Sequence, residues 1–516
     1  MGTGWSIIVW SIIILLPILL LRRGKRAGGR LPPEPPGWPL FGHMFHLGSM
    51  PHHTIAGFRD QYGPIVWLRL GSRNAMAILS AKAAGELFKN HDLAFAERTI
   101  TQLMESHGFH KAALSLAPYG PYWRLLRRIC TTEMLVARRI NETVAVRQKC
   151  VADMLTWIEA EAMNGDAAAR GVHVGRFVFL AAFNTLGNLM LSRDLVDPQS
   201  EVASEFFQAM IGLMEGHNRP NIADLFPWLR WLDPQGLRKK MDSELEKTLK
   251  IASGYVKERL KEREAGAGTS DEKKRKDFLD VLLDYEGNGK DEPAKIPVEN
   301  LSIFILEIFL AGSETTSSAI EWAMTELLCH PEALMKAQSE LHAVVGANGK
   351  MEESHIEKLP YLQAIVKETM RLHPPIPLLI PRKAVQDADF LGYRIPKDTQ
   401  VFVNAWAIGR DSECWEEATV FRPDRFLDSK VDYKGQNYEL LPFGAGRRMC
   451  AGVPLAHRML QLVLGSLLHE FDWELEDGVS GESMDRREAM GVTARKLEPL
   501  VAVARKKIKG KKKNVV

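Results

Sequence analysis

One long apolar stretch, Ile296 to Cys329, limits the folds open to this sequence more than any other feature. It has helical period and far exceeds the usual 11–12 residues of a globular helix. Leu301, Ile303, Phe304, Ile305, Leu306, Ile308, Phe309 and Leu310 fill its first half, on every side. A helix apolar all round is buried, so a large body must surround it. The stretch ends at "CHPE", where Pro331 can open the next helix. Its middle reads "AGSETTSS", Ala311 to Ser318. Gly312 costs about 1 kcal/mol of helix propensity relative to alanine, and the Ser and Thr hydroxyls compete for backbone groups. A buried helix weakened at its centre has room for a ligand and a place to bend. Glu314 and Thr315 then set an acid beside an alcohol at a cavity. The alternative is that Thr315 bonds back to a helix carbonyl and Glu314 is paired elsewhere.

Most of the remaining chain has helical period. Ile65 to Ser80 alternates on both sides of "GSRN" and predicts a hairpin. "AGAGTSDEKKRK" (265–276) and "EGNGKDEP" (286–293) read as exposed loops. No shift in composition divides residues 40–503, which are expected to form one large, mainly α domain with small β-sheets. The net charge of +3 gives no argument for nucleic acid. The five cysteines, Cys130, Cys150, Cys329, Cys414 and Cys450, include no CxxC pair. Their odd number and scatter fit a reducing compartment.

Residues 1–21 contain "WSIIVWSIIILLPILLL", followed by Arg22, Arg23, Lys25 and Arg26. The length suffices for a membrane-spanning helix, and the basic cluster after it leaves the C-terminal body in the cytosol. A cleaved signal peptide would carry its charge before the apolar run. Residues 22–39 form a basic, proline-rich hinge, and prolines this dense favour a stiff extended segment. Residues 504–516 are a basic tail, read as a solvated end or as a weak contact for anionic lipid.

"KETMR" places Glu368 and Arg371 on one helical face. Apolar residues surround the pair, and "FRPDRF" supplies Arg425 between aromatics. These three are expected to form one buried structural network, because a buried pair must be satisfied. "PYWRLLRR" sets Trp123 and Arg127 four apart, an arrangement that suits a carboxylate, or else a basic face in solvent. In "PFGAGRRMCAG", Gly444, Gly446 and Gly452 allow a tight loop around Cys450, just ahead of a helical run. The helix dipole and Arg447/Arg448 favour its thiolate. One thiolate is too few for zinc. A nucleophile would need a base, for which His457 is near in sequence. A single thiolate in an apolar, glycine-lined pocket suits an axial ligand of haem iron.

The last stretch fits F-x-x-G-x-R-x-C-x-G and resembles the signature of the cytochrome P-450 haem-thiolate monooxygenases. "AGSETT", "KETMR", "FRPDRF" and "WRLLR" resemble four further motifs of that family, in its order, and the likeness covers nearly the whole chain. It implies the cytochrome P-450 fold behind an N-terminal membrane helix, with haem b bound and Cys450 as axial ligand. It further implies that Trp123, Arg127, Arg382 and Arg448 hold the haem propionates and that Phe443 shields the thiolate. Gly446 stands at the signature's first glycine, and Gly452 would let the next helix approach. Thr315 would hold bound dioxygen and a water, and Glu314 would help deliver protons. Three positions depart mildly: Glu314 where Asp is also frequent, Ala451 for proline, and Asp424 for glutamate.

The anchor, the hinge and the segment 95–124 are similar to plant microsomal members, nearest a group with geraniol and other terpenoid hydroxylases, close to the flavonoid hydroxylases. That implies an endoplasmic reticulum enzyme using NADPH through a flavoprotein reductase, which would meet Arg124, Arg128 and Arg447. The expected substrate is a small lipophilic terpenoid, with a flavonoid or phenylpropanoid as the alternative. By family position its pocket is lined from 106–117, Phe304, Ile308, Ala311, 376–380 and 491–493. A haem-binding sensor or carrier without turnover is the reading from another class; Glu314–Thr315 and the anchor speak for turnover.

Overall fold

The computed structural model describes residues 30–163, 171–198, 205–216, 221–265, 276–290, 292–491 and 493–507. The apolar run of 1–21, residues 22–29 of the hinge and residues 508–516 of the tail lie outside the described residues.

Six helices position the site: α1 (Pro51–Gly57), α2 (Pro121–Ile129), α3 (Val174–Leu191), α4 (Val298–Cys329), α5 (Pro360–Leu372) and α6 (Val453–Glu470). Proline stands in the first turn of α1, α2, α5 and α6, where its missing N–H leaves no bond unmade. Helix α4 begins two residues later than the sequence pattern places it. Pro297 has φ −58° and ψ 146°, extended backbone, and acts as its N-cap.

Helix α4 runs unbroken for 32 residues through the core. The helix is not interrupted at Gly312. A Cβ on Gly312 would lie 2.9 Å from Leu186 Cδ1 of α3, so the glycine serves close packing of two helices. Helices α3 and α4 are also the two described helices long and apolar enough to cross a membrane, and both are mostly buried inside the fold.

The main sheet has five strands: β1 (Ile65–Leu70), β2 (Arg73–Ile78), β3 (Glu97–Arg98), β4 (Arg382–Lys383) and β5 (Gln400–Val403), in the order β1-β2-β5-β4-β3. Strands β1 and β2 form the hairpin read from the sequence, with Gly71 at φ 61° in its turn. Strand β2 pairs with β5 in parallel, and the other pairings are antiparallel. The short β3–β4 ladder pairs Arg98 with Arg382, which sets two arginines side by side at one end of the sheet. A second hairpin pairs β6 (Glu488–Met490) with β7 (Ala494–Lys496), and two bonds of Ala494 fix it beside α4 and the segment after α5. The Ala494 N–H donates to Pro375 O at 2.8 Å, and Ser318 Oγ of α4 donates to Ala494 O at 2.9 Å.

Candidate active site

Cys450 lies three residues before α6. Gly444 and Gly446 adopt φ 66° and 68°, left-handed backbone that glycine alone adopts freely. The loop closes when the Cys450 N–H donates to Phe443 O at 3.0 Å. The Gly452 N–H then donates to Cys450 Sγ at 3.3 Å. Burial pushes the thiol up; the amides of Gly452 and Val453 and the charge of Arg127 pull the other way. His457 is engaged elsewhere: its Nδ1 bonds the Tyr433 hydroxyl at 2.6 Å. The Tyr433 ring meets Phe443 edge-on, centroids 5.2 Å apart. No histidine or carboxylate bonds Cys450 among the described residues, so the arrangement suits a metal ligand rather than an assisted nucleophile.

Three buried guanidiniums stand near the cysteine loop. Arg382 Nη1 donates to Asp92 Oδ1 at 2.7 Å and Nη2 to Ala445 O at 3.1 Å. Arg448 donates to Ala96 O at 2.9 Å and to Ala117 O at 2.6 Å. Arg98 donates to Ser115 O at 2.9 Å and to Ile380 O at 2.5 Å. Burial, then repulsion by Arg382 and Arg448, holds Arg98 well below the usual guanidinium range. Burial brings Arg448 down to about 10. This much buried positive charge beside a thiol suits a ligand that carries carboxylates and a metal, and the donor set therefore fits haem. Sequence pattern does not single out Arg98, although "FAERT" places it next to an acid just before the loop.

Trp123 and Arg127 both reach this region, through carbonyls. Trp123 Nε1 donates to Leu114 O at 3.0 Å, and Arg127 Nη1 donates to Met449 O at 2.5 Å. An indole has one N–H. Trp123 also presents its ring face to Arg448, whose guanidinium carbon is 4.6 Å from the ring centroid.

On α4, Ser313, Thr315 and Thr316 donate to the carbonyls of Phe309, Ala311 and Gly312 at 2.6, 2.6 and 2.8 Å. Thr315 thus adopts the back-bonded alternative, and its oxygen keeps lone pairs to accept from a donor. Burial holds the Glu314 carboxyl above the usual range, against the opposing pull of Thr493 and Arg495. Thr493 Oγ1 meets no partner in hydrogen-bond geometry, so its effect on Glu314 is that of a nearby dipole. Of the α4 residues read as pocket lining, Phe304 is 1% exposed and belongs to the core, while Ile308 is partly buried and Ala311 exposed.

Glu307, one turn before Ala311, is buried and accepts the N–H groups of Leu114 and Ser115 at 2.5 and 2.6 Å. A lone acid in "FILEIFLA" is the signal that could have found it.

Glu368, Arg371 and Arg425 come together. Arg371 Nε and Nη2 each donate to Glu368 at 2.7 Å, and Arg425 Nε donates at 3.1 Å. Arg371 Nη1 reaches Gly409 O and Ala418 O at 2.5 and 2.6 Å. The Arg422 N–H donates to Glu368 at 2.8 Å. Glu368 is 0% and Arg371 1% exposed, so a full set of partners is what makes this burial tolerable.

A glycine-turned cysteine loop, a buried arginine cluster and a satisfied Glu–Arg brace define a haem-thiolate oxidoreductase. The model of the cytochrome P450 family matches residues 32–501, and the chain belongs to that family. It is similar to Cytochrome P450 76A2 of Solanum melongena, 53% identical over 97% of this chain and 99% of the relative. It is 48% identical to an iridoid oxidase of Catharanthus roseus, over 96% of each chain. It is 40% identical to a geraniol 8-hydroxylase of Swertia mussotii, over 93% of this chain and 94% of the relative. A solved zebra fish cytochrome P450 with progesterone superposes with TM-score 0.73 at 25% identity, over 89% of this chain and 99% of that one. The protein is thus a haem-thiolate monooxygenase with haem as its cofactor, and electrons come from a redox partner, as is general for the family.

Proposed function

We propose that the chain uses NADPH and dioxygen to hydroxylate a small lipophilic terpenoid. The observation that carries this reading is its near full-length similarity to an iridoid oxidase and a geraniol 8-hydroxylase. Haem ligated by thiolate supplies dioxygen activation and O–O cleavage. Cys450 Sγ is the ligand, held by the Gly452 N–H. Arg98, Arg127, Arg382 and Arg448 bind the propionates, and Trp123 orients Arg448 by stacking. Phe443 covers the thiolate, Gly446 turns its loop, and Gly452 lets α6 approach the loop. Thr315 accepts a hydrogen bond from a water in the pocket. Glu314, whose carboxyl burial holds above the usual range, passes protons to that water. Glu368, Arg371 and Arg425 brace the fold behind the loop.

The reductase meets Arg124 and Arg447, both exposed. Arg128 and Arg447 are each already paired, Arg128 with Glu292 at 2.8 Å through both terminal nitrogens and Arg447 with Asp92 at 3.0 Å, so Arg124 is the least engaged of the three. The body, residues 40–503, sits on the cytosolic face of the endoplasmic reticulum, behind an anchor in 1–21. Trp38, Phe45, Trp228 and Trp231 are 58%, 61%, 68% and 79% exposed. Ring contacts of 5.0, 5.7 and 6.2 Å link Phe45, Phe41, Phe226 and Trp228 in turn, an apolar surface suited to lipid.

The test is product formation in microsomes carrying this chain and a plant reductase, given NADPH with geraniol or naringenin. Oxidised geraniol alone supports the reading. Oxidised naringenin alone overturns it in favour of a flavonoid hydroxylase.

A further inference from the structure

Glu488, the first residue of β6, draws histidines from two distant parts of the chain. His52 Nε2 and His53 Nε2, on α1, lie 2.7 and 3.0 Å from Glu488 Oε2. His373, just past α5, brings its Nδ1 to 3.8 Å from Glu488 Oε1. The ring of His373 is fixed: it stacks on Trp322 at 3.9 Å and 2°, and its Nε2 bonds Glu326 Oε1 at 2.8 Å. A neutral imidazole that donates its Nε2–H to a carboxylate carries a lone pair on Nδ1. That Nδ1 is buried and has no hydrogen-bond partner, and His373 is 8% exposed. A carboxylate orienting one imidazole nitrogen while the other points at a cation is the usual outer-shell device of zinc sites.

From this geometry we propose that His52, His53 and Glu488 bind a zinc ion, with His373 Nδ1 available as the fourth ligand. One ligand atom from each of His52, His53 and Glu488 lies within 4.8 Å of the others. Zinc bonds of about 2.0–2.1 Å in a tetrahedron separate ligand atoms by about 3.3 Å, so the observed pairs need to open by only a few tenths of an ångström. Imidazole and carboxylate together suit zinc. Binding releases to solvent the protons that His52 and His53 place against Glu488. Arg410 is the nearby opposing charge; it stacks on Trp406 at 4.0 Å and donates to Leu372 O. Glu326 has a second nearby guanidinium in Arg486, while Glu488 faces the histidines. The His53 side chain is 42% exposed, which gives an ion a way in.

The site would fasten β6 to α1. The same hairpin carries Thr493 and Arg495 to Glu314, so zinc there would stiffen one wall of the pocket from outside it.

The experiment uses the haem-loaded full chain in detergent, stripped with chelator, titrated with zinc chloride and desalted before elemental analysis. The wild type is expected to retain one equivalent. His53→Ala and Glu488→Gln are expected to lose the ion on desalting, while His342→Ala, an exposed histidine outside the cluster, retains it as the wild type does. The carbon monoxide spectrum of each chain reports that it is folded and its thiolate intact. If Glu488→Gln fails to hold haem, His53→Ala decides, since its side chain is at the surface. No zinc retained by the wild type, or equal retention by His53→Ala, overturns the proposal.

Discussion

Glu307 accepts the backbone N–H of Ser115 at 2.6 Å, across 192 positions of sequence. Together with the Leu114 N–H, this clamps the chain just before α2 onto α4. Carbonyls of the same segment receive Trp123, Arg98 and Arg448. One buried carboxylate therefore sets the positions of three groups around the cysteine loop.

Glu307→Gln keeps one acceptor and loses the charge. Hydrogen bonds to charged groups are worth about 1.5–3 kcal/mol each, so a loss of about 2 kcal/mol is expected. Thermal unfolding and the ratio of haem to protein absorbance check it. A variant with unchanged midpoint and full haem content would show that the clamp contributes nothing.

Glu314 titrates above the usual carboxylate range because burial disfavours its ion. A protonated donor then persists to higher pH than in a free glutamate, and product per NADPH falls as pH rises through the elevated value. Glu314→Gln should lower turnover by about 100-fold and flatten that pH dependence. Stability follows the same sign. The penalty for ionising a buried acid grows as pH rises above about 4.5, so the variant should gain on the wild type in melting temperature at pH 8 and not at pH 5.

Thr315→Ala removes the oxygen that accepts from pocket water. Haem binding should be unaffected, while more NADPH is consumed per product formed. Coupling equal to the wild type's would remove Thr315 from the proton path.

Arg371→Met breaks the pair with Glu368 and leaves a buried carboxylate with fewer donors. Such losses run to about 3–5 kcal/mol, enough to abolish haem incorporation. Arg425→Lys keeps a cation at one edge of Glu368 and should retain haem with a lower melting temperature. Expression yield and the carbon monoxide spectrum separate the two.

The mainly helical body, the β1–β2 hairpin and α4 could be read from periodicity and turn residues, since each depends on neighbours in sequence. The Glu368–Arg371 pairing was legible for the same reason, being one helical turn apart. Gly312 was not, because its role depends on Leu186, which a local pattern cannot bring near. Arg98 escaped because only the β3–β4 register sets it beside Arg382. Thr315's back-bond to Ala311 O, one turn away, was legible as an alternative, whereas the Leu114 carbonyl that Trp123 reaches is set by packing.

Asp92 binds Arg382 Nη1, the Arg447 backbone N–H and Arg447 Nη1 at 2.7, 3.0 and 3.0 Å. A Cβ on Gly446 would come within 2.5 Å of its carboxylate. The cysteine loop thus takes its counter-charge from a residue 355 positions upstream. During synthesis, the upstream half must wait for the last stretch of chain before this contact can form. Haem capture by the finished loop is therefore a late event, and a truncated product ending before Arg447 would carry an arginine pocket with no means to hold iron.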